Sequence, residues 1–225
     1  IADNFLLSSY LAFDKKVIIA PAMNTNMLKA KATQRNLETL LEDGVEIIKP
    51  EPGLLACNTI GDGRLEEPQE IINYLEDFFT PKDLSGKKII VSAGPTVEPI
   101  DYVRYISNNS SGKMGYNIAN EAKKRGAEVV LVSGPVEPIS IKGIKRIEVK
   151  TNSDMKDAID REFKDADALI MSAAPVDYKI EKASDKKIKK TGQNLNLELV
   201  ENIDIIKHFG LKKEKQIIVG FAAET

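Results

Sequence analysis

The sequence predicts an α/β fold built around a parallel sheet. Three observations carry that reading: short β-branched runs ending in Pro- or Gly-marked loops, apolar residues at helical spacing between them, and a restart of the alternation after a turn-rich stretch over 80–86. Strands alternating with helices give a parallel sheet covered on both faces, with ligands outside the carboxyl ends of the strands. The 225 residues, at roughly 150 per domain, amount to about one and a half domains.

The elements follow in order. Val17, Ile18, Ile19 and Ala20, stopped by Pro21, read as a buried parallel strand. Met27, Ala30, Leu37, Leu40 and Leu41 fall at helical spacing over 26–41, and Gly44 stands where a C-terminal cap belongs. A strand over 45–48 is followed by a Gly- and Pro-marked loop over 50–63 that carries Cys57, and Pro68 opens a helix in its first turn. Thr80, Pro81, Asp83, Ser85 and Gly86 form a linker. It sets the domain boundary, with 1–80 before it and 84–225 after it. Beyond it, strands are predicted over 87–93, 128–133, 145–149, 168–173 and 216–221, with helices over 111–125 and 154–164. The start at Ile1 and the end at Thr225 on an apolar run are expected to be cut from a longer protein.

Composition narrows the function. Lys and Arg number 32 against 34 Asp and Glu, for a net charge of -2, which argues against a general nucleic-acid binder but leaves room for a local basic pocket holding a phosphorylated small molecule. Apolar runs such as 17–20 are far too short to span a bilayer, and no signal segment opens the chain, so a cytoplasmic protein without a membrane partner is expected. The single cysteine, Cys57, cannot form an internal disulfide.

The loop over 94–115 is far longer than an ordinary strand–helix connection, and such loops are commonly functional. Ser110, Ser111 and Gly112 at a helix start suit an anion, or simply cap the helix. Neither G-x-G-x-x-G nor G-x-x-x-x-G-K-[ST] is present, which weakens dinucleotide and Walker-type readings. After the strand over 168–173, Ala173 and Ala174 would let a flat ring approach the backbone, and Asp177 could hold a hydroxyl or a cation. Lys186, Lys187, Lys189 and Lys190 make either a solvated face or a set of point charges for a triphosphate. Asn24 and Cys57 read as a carboxylate clamp and a proton donor near Arg64, or as a turn residue and a structural thiol. His208 is a lone histidine without a cluster or triad and receives no role.

Taken together, Pro21-Ala22-Met23-Asn24-Thr25-Asn26-Met27, Leu55-Ala56-Cys57 with Gly61-Asp62-Gly63-Arg64-Leu65, Asp101-Tyr102-Val103-Arg104-Tyr105-Ile106-Ser107-Asn108 with Ser110-Ser111-Gly112-Lys113-Met114-Gly115, Ala173-Ala174-Pro175-Val176-Asp177-Tyr178, Lys187-Ile188-Lys189-Lys190 and Val219-Gly220-Phe221-Ala222-Ala223-Glu224-Thr225 carry a resemblance. The chain resembles the bifunctional phosphopantothenoylcysteine decarboxylase/phosphopantothenate–cysteine ligase family of coenzyme A biosynthesis. The resemblance implies a Rossmann-like parallel sheet in a ligase domain over 84–225, preceded by the C-terminal part of a flavodoxin-like flavoprotein domain over 1–80.

For the ligase, it implies attack of the 4'-phosphopantothenate carboxylate on the α-phosphate of CTP, and then displacement of CMP by the amine of cysteine. Lys187 would stabilise charge in the first step. Asn108, with Arg104 and Ala174 around it, would serve the second. CTP with Mg²⁺ would lie along Met171, Ser172, Ala173 and Ala174, Asp177, Lys187, the stretch Ile203, Asp204, Ile205 and Ile206, and Phe221. For the decarboxylase, the family uses FMN to oxidise the thiol of 4'-phosphopantothenoylcysteine before CO₂ is lost, and a homo-oligomer is expected. Asn24 and Met27 would position the substrate carboxylate and the flavin-bound intermediate, and Cys57 would donate a proton. The flavin-binding strand and a catalytic His would lie upstream. Ile203 stands where the family usually has Pro, and Asn58 with Thr59 where it usually has Gly-Asp. A non-catalytic regulatory or scaffolding relative is the competing reading, against which the presence of Cys57, Asn108 and Lys187 argues. An NAD-type dehydrogenase is disfavoured by the missing glycine fingerprint.

Overall fold

The computed structural model describes residues 2–56, 58–137, 141–190, 192 and 194–222. The chain forms two compact units, Ile1–Thr80 and Pro81–Thr225.

Unit 1 contains α1 (Phe5–Ala12), β1 (Ile18–Ile19), α2 (Thr25–Lys29), α3 (Lys31–Glu42), β2 (Glu46–Ile47), β3 (Glu51–Leu54), β4 (Ile60–Arg64) and α4 (Pro68–Phe79). β1 and β2 pair in parallel, with Ile18 opposite Glu46 and Ile19 opposite Ile47. The residues over 17–20 are half-buried rather than buried, because β1 has only this one neighbouring strand among the described residues. The helix expected over 26–41 is two helices. Apart from Ala32, residues 31–36 are polar or charged, so no apolar stripe runs through the middle. Ala30 turns extended (φ −61°, ψ 132°) between them, and Gln34 Nε2 donates to the Leu28 carbonyl at 2.6 Å, satisfying a group in the last turn of α2. The loop expected over 50–63 is a hairpin. β3 and β4 pair antiparallel with an irregularity at Glu51/Pro52, which is where a strand tolerates proline. Its turn places Asn58 at φ 57°, a left-handed conformation that asparagine tolerates better than most residues.

Unit 2 contains β5 (Lys88–Ala93), β6 (Val97–Pro99), β7 (Tyr105–Ser107), α5 (Lys113–Lys124), β8 (Glu128–Ser133), β9 (Lys145–Glu148), α6 (Asn152–Phe163), β10 (Ala168–Met171), β11 (Tyr178–Ile180), β12 (Leu199–Glu201), α7 (Ile205–Lys212) and β13 (Ile217–Gly220). The five-stranded sheet runs β13-β10-β5-β8-β9, and every pairing in it is parallel. Strand alternation sends one set of side chains to each face. Ile89, Val91, Ala93, Val129 and Leu131 pack with Tyr116, Ala119 and Ala122 of α5. Ile90, Val130, Val132, Leu169 and Met171 pack with Met155, Ile159 and Phe163 of α6 and Phe209 of α7. This is the α/β fold with a parallel sheet that the strand–helix alternation predicts. α6 begins at Asn152 rather than 154 because Thr151 and Asp154 close a capping box ahead of it. The hairpins β6–β7 and β11–β12 and the helix α7 add to what the sequence pattern predicts. Among the described residues no helix is long and apolar enough to cross a membrane.

Candidate functional site

Sheet order locates the site in unit 2. β8 and β9 are added on one side of β5, and β10 and β13 on the other, so the topological switch point lies between β5 and β10. The loops leaving these two strands are stitched together there. Pro95 bridges Ala174, the Ala174 amide donates to the Gly94 carbonyl at 2.9 Å, and the Thr96 amide donates to the Ala174 carbonyl at 3.4 Å. α5 starts against the same point. A Cβ on Gly115 would lie 2.6 Å from Ala93 Cβ and Ser172 Oγ and 2.8 Å from the Ser92 carbonyl, so only glycine lets the helix approach this closely. Gly112 sits at the N-cap with φ 73° and no side-chain cap, so the helix start beside Ser110 and Ser111 keeps backbone amides available to an anion.

Next to this point lies a cleft of about 460 Å³. Met171, Asp177, Ile203, Asp204, Ile205, Ile206 and Phe221 all line it, together with Asn152, Tyr178, Glu201 and Asn202. Ser172, Ala173, Ala174 and Lys187 are not in its lining. Asp204 also caps α7, accepting from the Lys207 amide at 2.9 Å, which fixes the carboxylate at the helix start.

A buried polar hub supports the cleft. Asn152, the first residue of α6, is 1% exposed. Its Nδ2 donates to the Val176 carbonyl at 2.9 Å and to the Ile203 carbonyl at 3.4 Å, while the Val176 amide donates back to Asn152 Oδ1 at 3.2 Å and to Thr96 Oγ1 at 3.0 Å. Thr96 Oγ1 donates to Asn152 Oδ1. Glu98 Oε1 accepts from the Asn152 amide at 3.0 Å and from Asn202 Nδ2 at 2.9 Å. Asn152, Thr96, Glu98 and Asn202 are absent from the sequence-based site. The Thr-x-x-Asp spacing of 151–154 signals a helix start there, but not that its first residue ties together loops from β5, β10 and β12.

A second arrangement anchors the lysine segment. Asp101 is buried, and its carboxylate accepts from the Val103 and Arg104 amides, both at 2.8 Å, from Arg104 Nε at 3.1 Å and from the Ile188 amide at 3.0 Å. The Arg104 guanidinium, followed by the Ile188 amide, holds this carboxyl well below the usual range. Arg104 Nη2 donates in turn to the Ile188 carbonyl at 3.1 Å. Lys187, next to the anchored residue, is exposed. Asn108 stands nearby in the fold of the loop: its Nδ2 donates to the Pro175 carbonyl at 2.8 Å and to the Ala174 carbonyl at 3.3 Å.

In unit 1, a cavity of about 360 Å³ is lined by Asn24 and Arg64 among the mainly apolar residues Ala22, Met23, Leu54, Leu55, Ala56 and Leu65. Asn24 Oδ1 accepts from the Asn26 amide at 2.8 Å, and Met27 is exposed outside the cavity lining. Arg64 lies 3.9 Å from Glu51 and also pairs with Glu67. Cys57 lies outside the described residues, as do Ala223, Glu224 and Thr225.

Fold and cleft together define an α/β protein of the doubly wound class, with a cleft at the carboxyl ends of β10 and β13, beside the switch point of the sheet. Residues 84–225 match the family described as DNA/pantothenate metabolism flavoprotein C-terminal domain, and the chain belongs to that family. Residues 1–80 match the Flavoprotein family. Among curated relatives, the coenzyme A biosynthesis bifunctional protein CoaBC of Bacillus subtilis is 44% identical over 100% of this chain and 56% of its own length. A cysteine/cysteine sulfinic acid decarboxylase from an unknown prokaryotic organism is 46% identical over 100% of this chain and 65% of its own. The chain thus spans a little over half the length of such relatives as the first. The crystal structure of the C-terminal domain of a coenzyme A biosynthesis bifunctional protein CoaBC superposes with a TM-score of 0.56 at 40% identity, covering 63% of this chain and 66% of that one.

Proposed function

We propose that this chain is part of a coenzyme A biosynthesis enzyme in which residues 84–225 carry the CTP-dependent ligation of 4'-phosphopantothenate to cysteine and residues 1–80 contribute to decarboxylation of the product. The observation that carries the reading is the cleft at the carboxyl ends of β10 and β13. Of the five segments that the family resemblance assigns to CTP, four meet in one cavity, lined by Met171, Asp177, Ile203, Asp204, Ile205, Ile206 and Phe221. Phe221, Met171 and the isoleucines offer apolar walls to a flat base, and the Asp177 and Asp204 carboxylates offer acceptors to an amino group or ribose hydroxyls.

The ligation proceeds in two displacements. A carboxylate oxygen of 4'-phosphopantothenate attacks the α-phosphorus of CTP and pyrophosphate leaves; the amine of cysteine then attacks the acyl carbon and CMP leaves. Lys187, on the segment anchored through Ile188 to Asp101, neutralises charge developing on the phosphate in the first step. Asn108, fixed on the Ala174 and Pro175 carbonyls, orients the acyl group for the second. Among the described residues no three His, Cys, Asp or Glu gather as a metal site, and Mg²⁺ enters this reading on the triphosphate. In unit 1 the apolar cavity with the Asn24 carboxamide suits the edge of a flat ring beside a carboxylate. FMN, when bound, would supply a two-electron oxidation of the substrate thiol and, once reduced, the two electrons that the decarboxylated product takes back; Asn24 would hold the carboxylate that departs, and Cys57 would supply a proton to that reduction.

The test is pyrophosphate release by the purified protein with CTP, Mg²⁺, 4'-phosphopantothenate and cysteine. Release that depends on the pantothenate acid is expected, and acid-independent or absent release in the full-length parent overturns the reading. Absent release together with no thermal stabilisation by CTP favours the non-catalytic scaffold.

A further inference from the structure

Unit 2 holds a second cavity, of about 690 Å³, at the carboxyl ends of β8 and β9. It lies on the opposite half of the sheet from the cleft, and no residue assigned to the nucleotide lines it. Its charged lining is Arg146, Lys150 and Arg161 against Glu148, Asp154 and Asp157. The three carboxylates are already engaged. Glu148 lies 3.1 Å from Arg146 Nη2, and Asp157 pairs with Lys156 at 2.8 Å. Asp154 closes the α6 capping box, and its hydrogen bond from the Thr151 amide, above all, lowers its pKa, with Lys150 contributing through its charge.

Arg146 shares Nη2 with Glu148, but its Nε and the whole of Arg161 have no such pairing among the described residues. Arg161 projects from α6 with no ion-pair partner among the described residues. Arg146 Nε is buried with no acceptor, and its guanidinium is steadied 5.7 Å from the centroid of the Tyr116 ring. We infer that this cavity binds a small anion carrying phosphate or carboxylate groups, held between Arg146 and Arg161. A guanidinium presents five donors in a rigid fork that matches either group.

The test is calorimetric titration of the chain with pyrophosphate and, separately, with citrate. Arg161 is exposed, so Arg161→Gln leaves the fold intact, and it is expected to weaken binding by about tenfold or more. Arg146→Gln should weaken it similarly, while Arg35→Gln, an exposed residue of unit 1, leaves the titration unchanged. Binding of pyrophosphate alone assigns the site to phosphate, and binding of citrate alone to carboxylates. The inference is overturned if neither anion binds, if Arg161→Gln binds as the parent does, or if Arg35→Gln weakens binding as much as Arg161→Gln.

Discussion

The amide of Ile188 donates to Asp101 Oδ2 at 3.0 Å across 87 residues of sequence. That bond, with Arg104 closing on the Ile188 carbonyl, turns a run of exposed lysines into a segment with a fixed attachment. Asp101→Asn removes the charge that draws the Ile188 amide and the Arg104 guanidinium together. In the full-length parent, kcat of the CTP-dependent step is expected to fall about tenfold or more with a smaller change in KM, because misplacement rather than lost binding is the defect. Steady-state kinetics against CTP check the split.

Asn152 is the costliest polar residue to lose. Asn152→Ala takes a partner from the Thr96 hydroxyl, the Ile203 carbonyl and the Val176 amide and carbonyl, while the backbone amide still donates to Glu98; the expected destabilisation is about 3 kcal/mol. Urea unfolding of the variant against the parent measures it.

Asp204 separates two roles by substitution. Asp204→Asn keeps a side-chain acceptor for the Lys207 amide, so stability should hold, whereas Asp204→Ala is expected to cost about 1 kcal/mol as a lost N-cap. If the carboxylate also serves the nucleotide, both variants weaken CTP. Thermal unfolding with and without CTP resolves the two effects.

Gly115→Ala inserts a methyl group 2.6 Å from Ala93 Cβ. α5 must then move off the switch point, at an expected cost of about 1–3 kcal/mol. Weaker protection of unit 2 by CTP should accompany the lower melting temperature.

Acid stability is linked to Asp160. Burial pushes this carboxyl up, but Lys212 and Lys156 together more than offset it and hold the pKa at about 2; His208 Nε2 stands 3.5 Å away. A carboxyl depressed in the folded state contributes stability that is fully present above its unfolded pKa of about 4. That contribution is lost as pH falls from there through the folded value. The stability of unit 2 should therefore decline between about pH 4 and pH 2, and Asp160→Asn should flatten that part of the profile in pH-jump unfolding.

The parts of the fold legible in the sequence were those whose physics is local. β5 and β8 are covered on both faces and read as unbroken apolar runs, so their position and parallel pairing followed directly. β6, β7, β11 and β12 are three-residue strands paired, among the described residues, only within their own hairpins, too short for any alternation in their pattern to announce them. The same division runs through the site. Asp177 stands in the loop after β10 that the alternation marks out, whereas Ile203 and the α7 residues Ile205 and Ile206 are pointed to by the resemblance alone. Asn152 looks like an ordinary residue beside a helix cap until the chain brings Val176 and Ile203 to it. Asn58, a departure from the family pattern, has a physical explanation, since its left-handed φ is tolerated by asparagine after glycine.

The bond from Asn202 to Glu98 spans 104 residues, which ties the cleft to the order of folding. Its walls cannot exist until the β11–β12 hairpin has docked on the β5 loop, and closures over such sequence distances come late and slowly. A ligand of the cleft is therefore expected to meet only the finished unit, lengthening the lifetime of the folded state by slowing unfolding while leaving the rate of refolding as it was.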